Sequence, residues 1–312
     1  MHYRLLLLLA IATPALAAKK PPPLPPLPPL LLDMAAPLVV VTIDGKPLRL
    51  RVDSAGTRHV ELNASAARRL DLANPARLVA GKPVEFGQAL IEVGKESVRE
   101  VTSDAIARYQ DRDVTLPLAW SERDHVAGAD GMIGPQFLPH DSVRWRRRPL
   151  APGDAAVMLP MQWKGGRGLL GTVAAGKRDI DVQLAPFTAE TIVTAAAASH
   201  LSEAFGGRFD GPAREAVISM GVRRPVRDVV FDRPVMVAGV PVKRAAARLF
   251  DWSGKTSLPS DPAAADEIVV RGRFDAQRQW PKLALGNDLL AACAEIGWTR
   301  LPLAMTLTCP RG

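Results

Sequence analysis

The sequence predicts a mostly β protein made of two similar lobes with short helices, and three observations carry that expectation. First, Leu38 to Ile43, the turn Asp44-Gly45-Lys46 and Leu48 to Val52 read as strand, tight turn and strand, the second arm alternating apolar and polar. Second, the pattern returns with Gly176-Lys177 and Ile180 to Leu184, and each half closes on an apolar-apolar-Gly turn, Met132-Ile133-Gly134 and Ala284-Leu285-Gly286. Third, 312 residues exceed one ordinary domain, while 47% hydrophobic and 23% charged residues describe a globular chain.

The chain opens Met1-His2-Tyr3-Arg4, continues with the apolar run Leu5 to Ala12, and reaches Ala15-Leu16-Ala17 before two lysines. A basic start, a short apolar stretch and an A-x-A site describe a cleavable secretory signal over 1–17, too short to span a bilayer. The mature protein is therefore expected in the periplasm or secreted, with no integral membrane segment. Residues 18–37 are dominated by Pro and Leu. Proline fixes φ and lacks an N–H, so this stretch reads as an extended linker, not a helix or sheet interior.

Two cysteines exist, Cys293 and Cys309, and an oxidising compartment favours a disulfide between them. Such a bond stabilises by roughly 3 kcal/mol through loop entropy. A net charge of +8 draws the protein toward acidic partners, including acidic envelope surfaces. The densest basic cluster, Arg144-Trp145-Arg146-Arg147-Arg148, falls where a strand should follow the first glycine turn. Alternation there places Trp145 on one face and Arg144 with Arg146 on the other, a solvated strand edge and not a nucleic-acid surface.

The elements between hairpin and glycine turn also correspond. Val60-Glu61-Leu62-Asn63 precedes a helix over Ala64 to Leu70, which Asn63 could cap, and Thr191-Ile192-Val193-Thr194 precedes one over Ala195 to Leu201. Seven residues separate Asp53 from Val60, and seven separate Ala185 from Ile192. The join falls near Pro149 to Gly153, giving lobes over 38–150 and 151–312.

Val52-Asp53-Ser54-Ala55-Gly56-Thr57, followed by strand, helix and Asp130-Gly131-Met132-Ile133-Gly134, resembles the retropepsin and pepsin clan of aspartic peptidases. The resemblance implies a bilobal pepsin-like acid-protease fold of two retropepsin-like β-barrel lobes, with a flap somewhere between Pro83 and Trp120. It also implies one aspartate from each lobe at the cleft floor, sharing a proton and activating a water. Asp53 matches the first. The second half reads Leu184-Ala185-Pro186-Phe187-Thr188, so Ala185 stands where the second carboxylate belongs.

The departures extend beyond the missing acid. In the clan the residue after each aspartate ties the two loops together; Ser54 can contribute, whereas Pro186 offers neither hydroxyl nor N–H. Phe187 and Ala55 replace glycines, so the symmetric clamp is expected to be absent or rebuilt. Asp181 lies four residues before Ala185, roughly 13 Å along an extended strand, and Glu190 lies beyond the loop. Neither restores the pair.

His59, His125, His140 and His200 show no metal-ligand or triad spacing, and no phosphate-cradling glycine loop occurs. Cofactors and metals are not implied. The expected function is an exported aspartic-peptidase-like protein, catalytically inactive, that binds an extended peptide or protein partner between its lobes. An active hydrolase using Asp53 and Ser54, and an envelope adaptor acting through its basic surface and Pro-rich arm, are the alternatives.

Overall fold

The computed structural model describes residues 25–56, 58–93, 96–124, 126–251, 254–255 and 280–311. The expected signal segment, the first part of the linker and His125 lie outside the described residues. The protein is mostly β with few helices.

The first half contains β1 (Leu30–Asp33), β2 (Leu38–Ile43), β3 (Lys46–Val52), β4 (Val60–Leu62), α1 (Ala64–Arg69), β5 (Leu78–Val79), β6 (Lys82–Pro83), β7 (Gly87–Val93), β8 (Glu96–Tyr109), β9 (Arg112–Trp120), β10 (Gly131–Ile133) and β11 (Ser142–Arg146). The second contains β12 (Asp154–Pro160), β13 (Gln162–Trp163), β14 (Leu169–Ala175), β15 (Arg178–Leu184), β16 (Ile192–Val193), α2 (Ala195–Phe205), β17 (Gly207–Ser219), β18 (Val222–Val237) and β19 (Val240–Arg248). It ends with β20 (Phe250–Asp251), β21 (Gly254–Lys255), β22 (Lys282–Leu285), α3 (Asn287–Leu290), β23 (Glu295–Thr299) and β24 (Ala304–Pro310).

Two large sheets repeat one topology. The first runs β2-β3-β10-β4-β9-β8-β7, and the second, after its edge strand β13, runs β14-β15-β22-β16-β19-β18-β17. In each, the strand before the glycine turn lies parallel to one neighbour and antiparallel to the other: β10 between β3 and β4, β22 between β15 and β16. Asp53 N–H donates to Ile133 O at 2.9 Å, and Ala185 N–H donates to Leu285 O at 2.8 Å. Asp53 and Ala185 therefore occupy corresponding positions.

The equal spacing of seven misaligns the next strand. Met132 pairs with Glu61, as Ala284 pairs with Ile192, so Glu61 and not Val60 corresponds to Ile192. The loop after Asp53 holds one residue more than the loop after Ala185. A single slip moves a side chain to the opposite sheet face, so the difference matters for what faces the space between the halves.

A third sheet, β1-β11-β23-β24-β12, draws strands from both halves. In it the two halves join through the antiparallel pair β11 and β23, in which Trp145 opposes Ile296 and Trp298 opposes Val143. Both indoles are buried, with Arg144 exposed on the other side. The linker reading over 18–37 needs correction at its end. Leu30 to Asp33 form β1, parallel to β11 with Leu32 buried, and an edge strand with one ladder partner tolerates the surrounding prolines.

Core and surface follow the period of two. Along β3, Leu48, Leu50 and Val52 are fully buried, while Pro47, Arg49 and Arg51 alternate with them. Each such leucine contributes about 2 kcal/mol of transfer free energy. Asn63 stands at the start of α1 but does not cap it; its side chain bonds Val126 and Ala129 instead. Thr194 does cap α2, accepting from Ala197 N–H, and α2 runs to Phe205, where Gly206 takes the left-handed conformation at φ +75°.

Candidate functional site

Asp53 follows directly on β3 and is buried, 4% exposed. Its Oδ1 accepts the Ala55 N–H at 2.9 Å, a local turn that any aspartate before a loop can make. Its Oδ2 accepts from Arg51 Nη2 at 3.0 Å. Two residues apart on one strand, the two side chains share a face, and this spacing was the available signal for an ion pair that sequence reasoning missed. Burial raises the Asp53 carboxyl above its usual range, while the Arg51 charge and the Ala55 N–H pull it down.

The second half covers this pair. Phe187 places its ring 4.8 Å from the Arg51 guanidinium carbon, a cation–π contact between the halves. Ala185 and Pro186 are buried beside it, with Thr188 N–H closing the loop onto Ala185 O at 2.9 Å, as Gly56 N–H closes onto Asp53 O at 3.1 Å. Asp53 Oδ2 is thus already engaged by a cation.

Two polar bonds tie the loops together. Ser54 Oγ donates to Leu184 O at 3.0 Å, and Gln183 Nε2 donates to Ala55 O at 3.1 Å. They are not equivalent by symmetry. Gln183 occupies the place of Arg51 in the other half, so the side chain that pairs with an acid in one half reaches across to a carbonyl from the other. Trp145 Nε1 donates to Val52 O at 2.8 Å, but Trp298 Nε1 is buried without an acceptor among the described residues. The corresponding carbonyl, Leu184 O, accepts from Ser54.

The glycine turns fit because the chain crosses itself there. A Cβ on Gly286 would lie 2.2 Å from the Glu190 carbonyl carbon, and one on Gly56 would lie 2.9 Å from Gly134 Cα. No larger residue fits at either crossing without moving backbone.

The other acids of the second half are engaged elsewhere. Asp181 accepts from Lys164 Nζ at 2.5 Å and Trp280 Nε1 at 2.7 Å. Glu190 forms a two-pronged pair with Arg214, which also binds Asp228.

Two hairpins, one from each half, approach each other. The β7–β8 hairpin supplies Val93 and Val98, the β17–β18 hairpin supplies Met220 and Val222, and these four form one buried cluster with Ile91 and Ile218 against it. The β7–β8 hairpin lies in the segment between Pro83 and Trp120, and the β17–β18 hairpin of the second half meets it. A cavity of about 440 Å³ lies between His59, Phe86 and Asp104, and Asp53 does not line it.

The remaining candidates have structural surroundings. His140 is buried between the Tyr109 hydroxyl and Pro28 O, anchoring the N-terminal segment. His59 and His200 are half-buried, and burial lowers both below the usual imidazole range. Among the described residues no cluster of three or more His, Cys, Asp or Glu is placed to hold a metal. Cys293 and Cys309 form a disulfide. The Arg144–Arg148 cluster is largely spent internally: Arg146 pairs with Glu295, Arg147 with Asn287 and Arg148 with Asp154, whose carboxyl falls to about 2.

No helix among the described residues is long and apolar enough to cross a membrane. Compared with known proteins, the chain matches no family model and no curated protein.

Proposed function

We propose that the chain is an exported, bilobal, pepsin-like protein that holds an extended peptide or protein segment between its lobes without cutting it. One observation carries the reading: the corresponding positions Asp53 and Ala185 supply a single acid, and that acid is ion-paired with Arg51 beneath Phe187. Amide hydrolysis by a carboxyl pair needs one group to take a proton from water while the other gives one to the carbonyl oxygen. An acid tied to a guanidinium, facing a methyl group, has no partner for that exchange.

Binding needs less. An extended segment can add to exposed strand edges by main-chain hydrogen bonds, and β7 and β17, the outer strands of the two hairpins, offer such edges. The disulfide supports an oxidising compartment, hence export. The bonds from Ser54 and Gln183 hold the two loops in register whether or not chemistry occurs.

A quenched-peptide library incubated with the protein from about pH 3 to pH 7 tests the first half of the proposal. No turnover is expected at any pH. Turnover inhibited by pepstatin and lost in Asp53→Asn would establish an active peptidase instead. Equilibrium binding of unquenched library peptides, retained in Asp53→Asn, tests the second half.

A further inference from the structure

We propose that a basin in the first half, built around Arg49, binds a small molecule that carries a carboxylate on a flat aromatic body. The site is separate from the peptide-holding reading above and does not depend on it.

The two sheets carry a charged pair at equivalent places, with the signs exchanged. Arg51 corresponds to Gln183, so Arg49, two residues earlier on β3, corresponds to Asp181 on β15. Asp130 corresponds to Lys282, because Asp130 O accepts the Asn63 N–H at 2.9 Å as Lys282 O accepts the Thr194 N–H at 3.0 Å. On the other flank, Val40 opposes Arg49 as Thr172 opposes Asp181. One half therefore sets Arg49 beside Asp130, and the other sets Asp181 beside Lys282.

What covers these places differs. In the second half the chain covers Asp181 itself: Lys164 Nζ donates to one carboxylate oxygen, and Trp280 Nε1 donates to the other at 2.7 Å. Lys164 directly follows β13, and among the described residues the first sheet, which begins at β2, has no counterpart of that strand. The equivalent place in the first half is a cavity of about 700 Å³ lined by Val40, Lys46, Pro47, Arg49, Arg69 and Asp130. It is open where its counterpart is filled by an ammonium and an indole.

The one acid in the basin is already neutralised. Asp130 Oδ1 accepts from Arg69 Nη1 at 2.8 Å, and Oδ2 accepts the Arg49 N–H at 2.8 Å. Burial works to raise its carboxyl, but these bonds and the two arginine charges hold it below the usual range. Arg69 is further fixed by donating to Pro47 O, and Lys46 Nζ donates to Arg69 O at 3.0 Å. The Arg49 guanidinium makes no hydrogen bond or ion pair among the described residues. Three cations against one engaged acid call for an anion. A carboxylate offers a guanidinium two parallel acceptors, and the guanidinium plane also stacks on aromatic faces. Val40, 54% exposed, and Pro47 supply apolar contact for such a body, and the volume is that of a small-molecule pocket, larger than a bare carboxylate needs. The ligand is thus the charge-reversed counterpart of what Lys164 and Trp280 supply to Asp181.

The test titrates naphthalene-2-carboxylate, naphthalene-2-carboxamide and inorganic phosphate into the full chain at about 0.15 M salt, where weak surface attraction is screened. The readouts are the Arg49 Nε–H resonance of ¹⁵N-labelled protein and calorimetric affinity. The carboxylate should shift that resonance saturably, and the carboxamide and phosphate should each bind at least tenfold more weakly. Arg49→Gln should weaken carboxylate binding tenfold or more. Val40→Trp, which places an indole in the basin and leaves every charge, should abolish it. Both substituted side chains are exposed, and the comparison of acid with amide needs no variant. Equal binding of acid and amide, unchanged affinity in Arg49→Gln, or no saturable shift overturns the site. Phosphate binding as tightly as the carboxylate overturns the aromatic body. Tighter binding of a peptide of alternating glutamate and tryptophan than of the carboxylate overturns the small molecule in favour of a protein segment.

Discussion

Ser54 donates its hydroxyl hydrogen to the carbonyl of Leu184, 130 positions away, at 3.0 Å. The bond is buried and joins the loop carrying Asp53 to the residue before Ala185. Removing the hydroxyl leaves that carbonyl without its donor inside the protein, at a cost of about 1–2 kcal/mol. Ser54→Ala should lower the thermal midpoint by roughly 2–6 °C at this chain length, whereas Ser54→Thr, which keeps the hydroxyl, should lower it less. Calorimetry showing no change for the alanine variant would mean that the bond holds nothing together.

Arg51 offers a sharper prediction because it neutralises a buried charge. Substituting leucine leaves the Asp53 carboxylate with only the Ala55 N–H, and breaking one side of a buried pair costs about 3 kcal/mol. The loss should shrink as pH falls, since protonation removes the charge that lacks a partner. Urea unfolding of Arg51→Leu at about pH 7 and about pH 4 checks this; equal destabilisation at both rejects the ion pair as the cause.

Asp53 itself links stability to pH. Its folded-state value lies above the usual 3.8, chiefly from desolvation. A group raised on folding binds its proton more tightly in the native state, so its contribution is fully present below 3.8 and is lost as pH rises through the folded value. Asp53→Asn cannot titrate. Its stability should fall less than the wild type's between about pH 4 and pH 7, measured as the difference in unfolding midpoint; parallel curves would exclude Asp53 from the linkage.

The order of elements in each half was legible because apolar alternation, turn glycines and the two apolar-apolar-Gly turns are local signals. The disulfide was legible from compartment and count. The alignment of Glu61 with Ile192 was not, because Val60 stands at the same distance from Asp53 as Ile192 from Ala185, and only strand pairing reveals the extra loop residue. The Arg51–Asp53 pair was visible in principle from a spacing of two, but an arginine on a half-exposed strand is ordinarily solvated. Contact between Val98 and Met220 depends on how two distant hairpins converge, which no local pattern encodes. The prolines before Leu30 masked β1, since composition alone does not show that only one side of a strand needs its N–H groups.

The hairpin contact should govern entry to the space between the halves. Met220 is buried at the tip of β17–β18 against Val93 and Val98. Met220→Ser weakens that local cluster by about 2 kcal/mol, while the large core beneath it is untouched. Peptide association should therefore accelerate with little change in thermal midpoint, as read by stopped-flow fluorescence. Unchanged association rates would show that the hairpins do not limit entry.

The buried glutamates should reduce stability at neutral pH, and the two halves supply their own control. Strand register sets Glu61 in correspondence with Ile192 and Glu100 with Val226, and Ile192 and Val226 make apolar contacts there, so Glu61→Ile/Glu100→Val exchanges a carboxyl pair for a pair that this fold already accommodates. Replacing buried charged groups by well-packed apolar residues is neutral or stabilising by about 1–4 kcal/mol. Because the Glu100 carboxyl is raised above 4.5, the wild type gains stability as pH falls from neutrality toward that value, and the variant, lacking both acids, gains less. The gap between the two proteins should therefore be widest near pH 7 and narrow toward about pH 5. A double variant that is less stable than the wild type at neutral pH would mean that the carboxyls support the fold itself.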